Sequence, residues 1–234
     1  MMANRMAMAV AFGALALAMA GCRTAEFDLG REVPREAIEW QDTWIEAGDR
    51  TDSDLPRVLM LGDSISRQYR AGVGKLLAGK ARIANSAGSH CVGDPMLNAA
   101  NAVVLGAYDF EVIVVNNGLH GMDVDLETYA CELAAYVDFL RAKAPRAKIL
   151  WARTTPVSVR GDLTRLASAN ETVKARNAAA DAIMAARGIP SVDLYGAVVD
   201  RSAALHVADG VHYNDQGAET LAKAVADAVL GLLK

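Results

Sequence analysis

Aromatic residues are scarce in this chain, 6% of 234 with four Phe and three Trp, and cysteine and proline are few as well, at three and six. No CxxC pair and no His/Cys cluster at metal-ligand spacing occurs, so a zinc site has no support in the pattern. Runs of Lys or Arg are lacking too. With 24 basic against 28 acidic residues the net charge is -4. Nothing in such a chain attracts a polyanion over a broad surface, which removes nucleic acid from the candidate partners. Neither GxGxxG nor GxxxxGK[ST] follows the first apolar run after the leader, which speaks against a nucleotide or flavin binder. Internal repeats and low-complexity tracts are missing. Against these absences stands an apolar content of 53%. That is enough for roughly 200 residues to bury one sizeable core in a single domain, or at most two.

The amino terminus, MMANRMAMAVAFGALALAMAGC, has one early Arg5, an uncharged stretch from Met6 to Ala20, then small residues and Cys22. It reads as an export signal, too short and too rich in Ala for a stable membrane span. Its end, Leu17-Ala18-Met19-Ala20-Gly21-Cys22, resembles the bacterial lipobox, which implies cleavage before Cys22 and lipid attached to that residue. Met19 stands where the motif usually has Leu, so ordinary signal cleavage with Cys22 as a bystander is the alternative. The expected location is the cell envelope, with the membrane touched only through the lipid anchor, or else a soluble periplasmic or secreted form. In an oxidising compartment Cys91 and Cys131 read either as a disulfide or as two small buried hydrophobes. Residues 22–54 read as a tether and docking segment, in which Trp40, Trp44 and Ile45 form the apolar stripe of a short helix.

From residue 55 the sequence alternates. Short apolar runs at 58–61, 81–87, 111–116, 147–152 and 189–194 are each followed by a segment with apolar residues at helical spacing, over 66–78, 95–105, 124–143, 167–187 and 215–233. Runs this apolar predict strands buried on both faces. The expected architecture is one α/β domain over 55–234, a parallel sheet of about five strands covered by helices on both sides. In such a sheet ligands bind beyond the carboxyl ends of the strands. That gives the stretch LGDSIS at 61–66 a meaning. Taken alone, Gly62, Asp63 and Ser64 are loop residues that cap a helix. At the end of the first strand, Ser64 also exposes a hydroxyl where free backbone N–H groups point outward. A hydroxyl needs a base to become a nucleophile. Of the four histidines, His90 and His206 have no acid close enough in sequence to suggest a pair, though His206 lies three residues before Asp209. In ADGVHYNDQG, however, Asp209 and His212 stand three apart just before the last helix. That spacing can bring the carboxylate against one ring nitrogen while the other faces the cleft.

Four blocks occur in order: GDS at 62–64, Gly88 within NSAGSH, a Gly-x-polar element after the third strand, and DGVH at 209–212. Over about residues 55–234 they resemble the SGNH, or GDSL-type, hydrolases. The resemblance implies a flavodoxin-like three-layer α/β/α sandwich and ester hydrolysis through a serine acyl-enzyme, with neither cofactor nor metal. It implies Ser64 as nucleophile, His212 as general base and Asp209 as the residue that orients it, with an oxyanion hole built from the N–H groups of Ser64 and Gly88. The third block departs from the family's Gly-x-Asn-Asp, whose Asn donates to the oxyanion. Here VNNGLHG, aligned on Gly118, puts His120 at the Asn position. The third donor is then either the His120 ring or the amide of the preceding Asn117.

No lid-like apolar insertion interrupts the chain. A rim carrying Ser89, His90, Asn116, Asn117, Thr154 and Thr155 fits a small acyl group on a hydrophilic alcohol. Asp63, Asn116, Thr154 and Thr155 are the expected substrate contacts, with helix capping by Asp63 and a turn set by Pro156 as the plainer readings. The expected substrate is a small-molecule or carbohydrate ester, with an O-acetylated sugar in view. The competing class is a non-catalytic envelope lipoprotein that binds a ligand in the same crevice. The joint presence of Ser64, Asp209 and His212 speaks against it, since a pure binder has no chemical need of all three.

Overall fold

The computed structural model describes residues 32–46 and 54–234. Its strands are β1 (Gln41–Trp44), β2 (Arg57–Gly62), β3 (Arg82–Gly88), β4 (Val112–Val115), β5 (Lys148–Ala152), the hairpin β6 (Ser158–Val159) and β7 (Asp162–Leu166), and β8 (Ser191–Val192). The main sheet runs in the order β1-β3-β2-β4-β5-β8. All its pairings are parallel except β1 on β3, which is antiparallel. The helices are α1 (Ser64–Leu76), α2 (Pro95–Ala107), α3 (Leu126–Lys143), α4 (Ala169–Ala186), the short α5 (Leu194–Val198) and α6 (Ser202–Leu205), and α7 (Asp215–Leu232).

Side chains alternate across a strand, and the alternation builds the three layers. Leu59, Leu61, Ile113, Val115, Ile149 and Trp151 point to one face, where Leu133 and Val137 of α3 and Ile183 and Met184 of α4 cover them. Val58, Met60, Val112, Val114, Leu150 and Ala152 point to the other, against Tyr69 and Val73 of α1 and Leu221 and Val225 of α7. Burial on both faces is why these strands read as unbroken apolar runs. The chain steps from β2 to β3 on one side and then to β4 on the other. The strand order therefore reverses at β2, and a crevice opens beyond its carboxyl end.

Residues 41–44 form a strand, not the helix expected from Trp40, Trp44 and Ile45. Backbone pairing with the otherwise open side of β3 decides this, a non-local gain that no helical stripe reveals. Trp44 remains 51% exposed. The two tryptophans lie beneath guanidinium groups of α1, Arg67 at 5.6 Å from the Trp40 ring and Arg70 at 5.8 Å from the Trp44 ring. The sheet thus has five parallel strands plus one antiparallel edge strand. Cys91 is a free, buried thiol, so it forms no disulfide with Cys131. Cys22, the leader and the tether up to residue 31 lie outside the described residues. Among the described residues no helix is long and apolar enough to cross a membrane.

Ile113, fully buried on β4, sits where neither face can collapse without moving a helix. Ile113→Ala is expected to cost about 2–5 kcal/mol in urea unfolding. A loss below about 1 kcal/mol would show this layer to be loosely packed.

Candidate active site

Gly62 ends β2, and a Cβ there would stand 2.6 Å from Ser66 Oγ and 3.4 Å from the Asn116 carbonyl, so the turn admits only glycine. Asp63 follows as the N-cap of α1, its Oδ1 accepting the Ile65 N–H at 2.9 Å while its carbonyl accepts the Ser66 hydroxyl at 2.8 Å. Asp63 is buried, and burial pushes its carboxyl up against the opposing influence of His120, the backbone N–H groups of Ile65 and Ser66, and His212. The plain reading of this acid as a helix cap is the one its bonds support. The cap leaves half-buried Ser64 as the first helical residue, with its hydroxyl in the crevice and its N–H outside the helical ladder.

The loop before α7 brings the second half of the site. Asp209 folds its own turn, Oδ1 accepting the N–H groups of Val211 at 2.8 Å and His212 at 2.9 Å. Its Oδ2 accepts from His212 Nδ1 at 2.7 Å, and His212 Nε2 stands 2.8 Å from Ser64 Oγ, 148 positions away in sequence. Burial alone would raise the Asp209 carboxyl, but the two N–H groups and the imidazole outweigh it and hold it at about 2. Gly210 turns at φ +76°, and a Cβ there would meet the Ser158 carbonyl at 2.3 Å. The β6–β7 hairpin lies against this loop, with the Ser158 N–H donating to Gly210 O at 2.8 Å. Gln68 clamps the loop to α1. Its Nε2 donates to the Tyr213 carbonyl and its Oε1 accepts the Tyr213 N–H, both at 3.1 Å. Sequence reasoning missed Gln68. The available signal was its place four residues after Ser64, on the same face of the helix.

A third group of residues follows β4. Asn117 spends its amide on the loop after β3, Nδ2 donating to the His90 carbonyl at 2.9 Å and Oδ1 accepting the Val92 N–H at 3.3 Å. That commitment takes the Asn117 oxygen and one hydrogen of its amide, on a side chain only 3% exposed. Asn116 Nδ2 donates to the Ala152 carbonyl at 2.8 Å. Thr154 donates its N–H to Asn177 Oδ1 at 2.9 Å, and Thr154 and Thr155 are each only 1% exposed. Asp63, Asn116, Thr154 and Thr155 are therefore not at the surface as substrate contacts. They are buried, and those with bonds spend them on the ends of strands and helices.

His120 is different, being half-buried in a loop of residues 118–124 that carries little regular structure. Arg176 holds this loop from below, donating to the carbonyls of Gly118, His120, Gly121 and Val124 at 2.6–3.1 Å, with its guanidinium 4.5 Å over the Tyr129 ring. Burial lowers its pKa. On the ring side, His120 Nδ1 lies 3.0 Å from Glu36 Oε1 on the N-terminal segment. Gly88 pairs with Gln41 across the antiparallel ladder, next to a bonded pair formed by the Ser89 N–H and the Trp40 carbonyl at 3.2 Å. Alternation along that ladder turns the Gly88 N–H away from β1 and toward β2, where the parallel pairing of Gly62 with Ala87 gives it the Gly62 carbonyl as partner.

The remaining histidines are structural. His90 does have an acid close in sequence, contrary to the expectation, since Asp94 caps α2 four residues on: His90 Nδ1 is 3.0 Å from Asp94 Oδ2, an oxygen that also accepts from Arg35 at 2.9 Å. With Glu39 these groups lie close enough for a metal ion, but the guanidinium occupies the cation's place and the set reads as an ion-pair network. His206 is buried, bonded to Ser158 Oγ at 3.0 Å and packed on the Tyr213 ring at 4.6 Å, and burial lowers its pKa. Burial and the neighbouring Asp94 push the Cys91 thiol up to about 11, which leaves it unreactive.

The arrangement can pass a proton from the Ser64 hydroxyl to His212 while Asp209 holds the ring. Because the Asp209 carboxyl is depressed to about 2, it contributes stability above roughly pH 4, and that contribution is lost as pH falls through the folded value. Asp209→Asn is expected to lose stability at pH 7, with a deficit that shrinks as urea unfolding is repeated toward pH 2. A deficit of constant size would place the effect in lost packing and not in the charge.

A family model described as the GDSL-like lipase/acylhydrolase family matches residues 60–220. No curated protein sequence matches the chain. Solved structures share the fold. A carbohydrate acetylesterase from Sinorhizobium meliloti has TM-score 0.64 and 14% identity, over 76% of this chain and 99% of that one. An acetyl xylan esterase has TM-score 0.60 and 17% identity, over 74% and 99%. A GDSL-like lipase from Bacteroides thetaiotaomicron has TM-score 0.58 and 16% identity, over 75% and 88%. With the motif-bearing strand ends, the three-layer sheet and the matched span in agreement, the chain belongs to the GDSL-like lipase/acylhydrolase family.

Proposed function

We propose that this acylhydrolase is a serine esterase acting on small acyl esters, with O-acetyl groups on carbohydrates as the substrate class, through Ser64, His212 and Asp209. The observation that carries the reading is the unbroken path from Asp209 Oδ2 through both ring nitrogens of His212 to Ser64 Oγ, in steps of 2.7 and 2.8 Å. The bonded pair fixes the hydrogen of a neutral ring on Nδ1, because a carboxylate only accepts. Nε2 then carries the lone pair toward the hydroxyl. His212 takes the Ser64 proton as the oxygen attacks the ester carbonyl, and it returns that proton to the leaving alcohol. Water, activated by the same base, then releases the acid. The tetrahedral anion is held by the Ser64 N–H and by the His120 ring, while the Gly88 N–H is held in the ladder with β2. Each such donor is ordinarily worth about 3 kcal/mol in the transition state.

The carbohydrate part of the reading is supported by the connections around the site, which are short and carry no apolar lid. The names of the acetylesterases that share the fold support it as well. The leader and its Cys22 support action in the bacterial cell envelope, with lipid on Cys22 as the anchor and the membrane reached only through it.

Purified protein and Ser64→Ala, each incubated with p-nitrophenyl acetate and with longer acyl chains, test the reading. The variant is expected to lose roughly 10³-fold or more in kcat, and the native protein to prefer acetate. Equal rates for the two proteins would reject serine catalysis, and a preference for long chains would reject the acetylesterase class.

A further inference from the structure

Glu36 reaches His120 across 84 positions of sequence, its Oε1 3.0 Å from Nδ1 and 3.4 Å from the Gly121 N–H. The carboxylate has no hydrogen to give, so the short contact places the ring hydrogen on Nδ1. A neutral imidazole carries only one N–H. With that hydrogen spent on Glu36, neutral His120 offers a lone pair at Nε2, and only the imidazolium offers an N–H there. The same logic operates at His212, where a carboxylate also takes Nδ1 and the lone pair at Nε2 is what a base requires. The two histidines therefore present the same tautomer and need opposite protonation states.

We infer that Glu36 is a positioning residue which fixes His120 as its Nδ1–H tautomer, so that His120 donates to the oxyanion only when doubly protonated. The N-terminal segment that carries β1 is thereby a part of the active site. This inference rests on the serine-esterase reading above. The titratable and charged groups around His120 are Glu36 itself, the buried cap Asp63, on which both His120 and His212 act, Arg176 at the His120 carbonyl, and Cys91 behind Gly121. None of the others bonds to the ring. Glu36 alone decides which nitrogen bears the hydrogen.

The consequence is an alkaline fall in activity that belongs to His120, opposite to the acid fall that belongs to the base. Profiles of kcat/KM against pH for p-nitrophenyl acetate, corrected with Ser64→Ala, are compared for native protein, Glu36→Gln and His120→Asn. Native activity is expected to drop at least about 10-fold on the alkaline side of its optimum as one oxyanion donor is lost. In Glu36→Gln the amide can donate to Nδ1 and leave the hydrogen on Nε2. In His120→Asn the donor does not titrate. Both variants are expected to lose the alkaline fall, whatever their overall rate. A native-like alkaline fall in both overturns the inference, since a merely structural contact would change the height of the profile and leave its shape. Long-range 1H–15N spectra of the imidazoles at roughly pH 9 give an independent readout, with His120 assigned by its absence from His120→Asn. Nδ1–H in the native protein and Nε2–H in Glu36→Gln support the inference; Nε2–H in the native protein overturns it. These spectra are read whether or not Ser64→Ala proves inactive, so failure here and failure of the esterase reading are told apart.

Discussion

One side-chain amide holds the chemistry together. Gln68, a turn after Ser64 on α1, takes both the N–H and the carbonyl of Tyr213, the neighbour of His212. Each bond is worth only about 1 kcal/mol, yet together they set the distance between a helix near the start of the domain and a loop near its end. The helices behind them allow this closeness. Gly72 of α1 faces Ala222 of α7, where an added Cβ would come within 2.7 Å of the alanine methyl. The serine–histidine contact is thus the visible tip of a helix–helix packing made tight by a missing side chain.

Polar residues at the carboxyl ends of the strands divide into two kinds, and burial with bonding tells them apart. Asn116, Asn117, Asn177 and Arg176 give their hydrogen bonds to main-chain groups that the strand ends and the loop after β4 leave unpaired. Left unsatisfied, such groups would each cost about 1–3 kcal/mol. These side chains replace a sheet ladder where the ladder stops. Ser64, His212 and His120 remain half-buried, and the two imidazoles each spend one nitrogen on a carboxylate and keep the other.

Local pattern carried most of the fold. The five apolar runs and the five long helices lie within a few residues of where periodicity places them, because burial on both faces leaves an uninterrupted signature. The Asp209–His212 pair was legible since its spacing builds a turn by itself. What escaped depends on partners distant in sequence. β1 exists because β3 has an open side. Gln68 matters because Tyr213 lands beside it. Glu36 acquires a role only where the loop of His120 meets it. The hairpin β6–β7 is short and partly polar, and it is ordered through its contact with the loop of Gly210. The Thr154 and Thr155 pair misled in the other direction, since polar type at a strand end says nothing about whether the side chain faces water or the backbone it stabilises.

The rims of the sheet have a consequence for how this protein behaves in crowded surroundings. An unpaired strand is a template on which another copy can add, and long flat ones nucleate aggregates. Here β1 shields the long β3 and is itself four residues, with Asp42 bonded to arginines of α1 at 3.2 and 3.4 Å, while the opposite rim is the two-residue β8. Both rims are short, the form in which natural sheets limit edge-to-edge pairing, and the segment that supplies Glu36 also makes one of them.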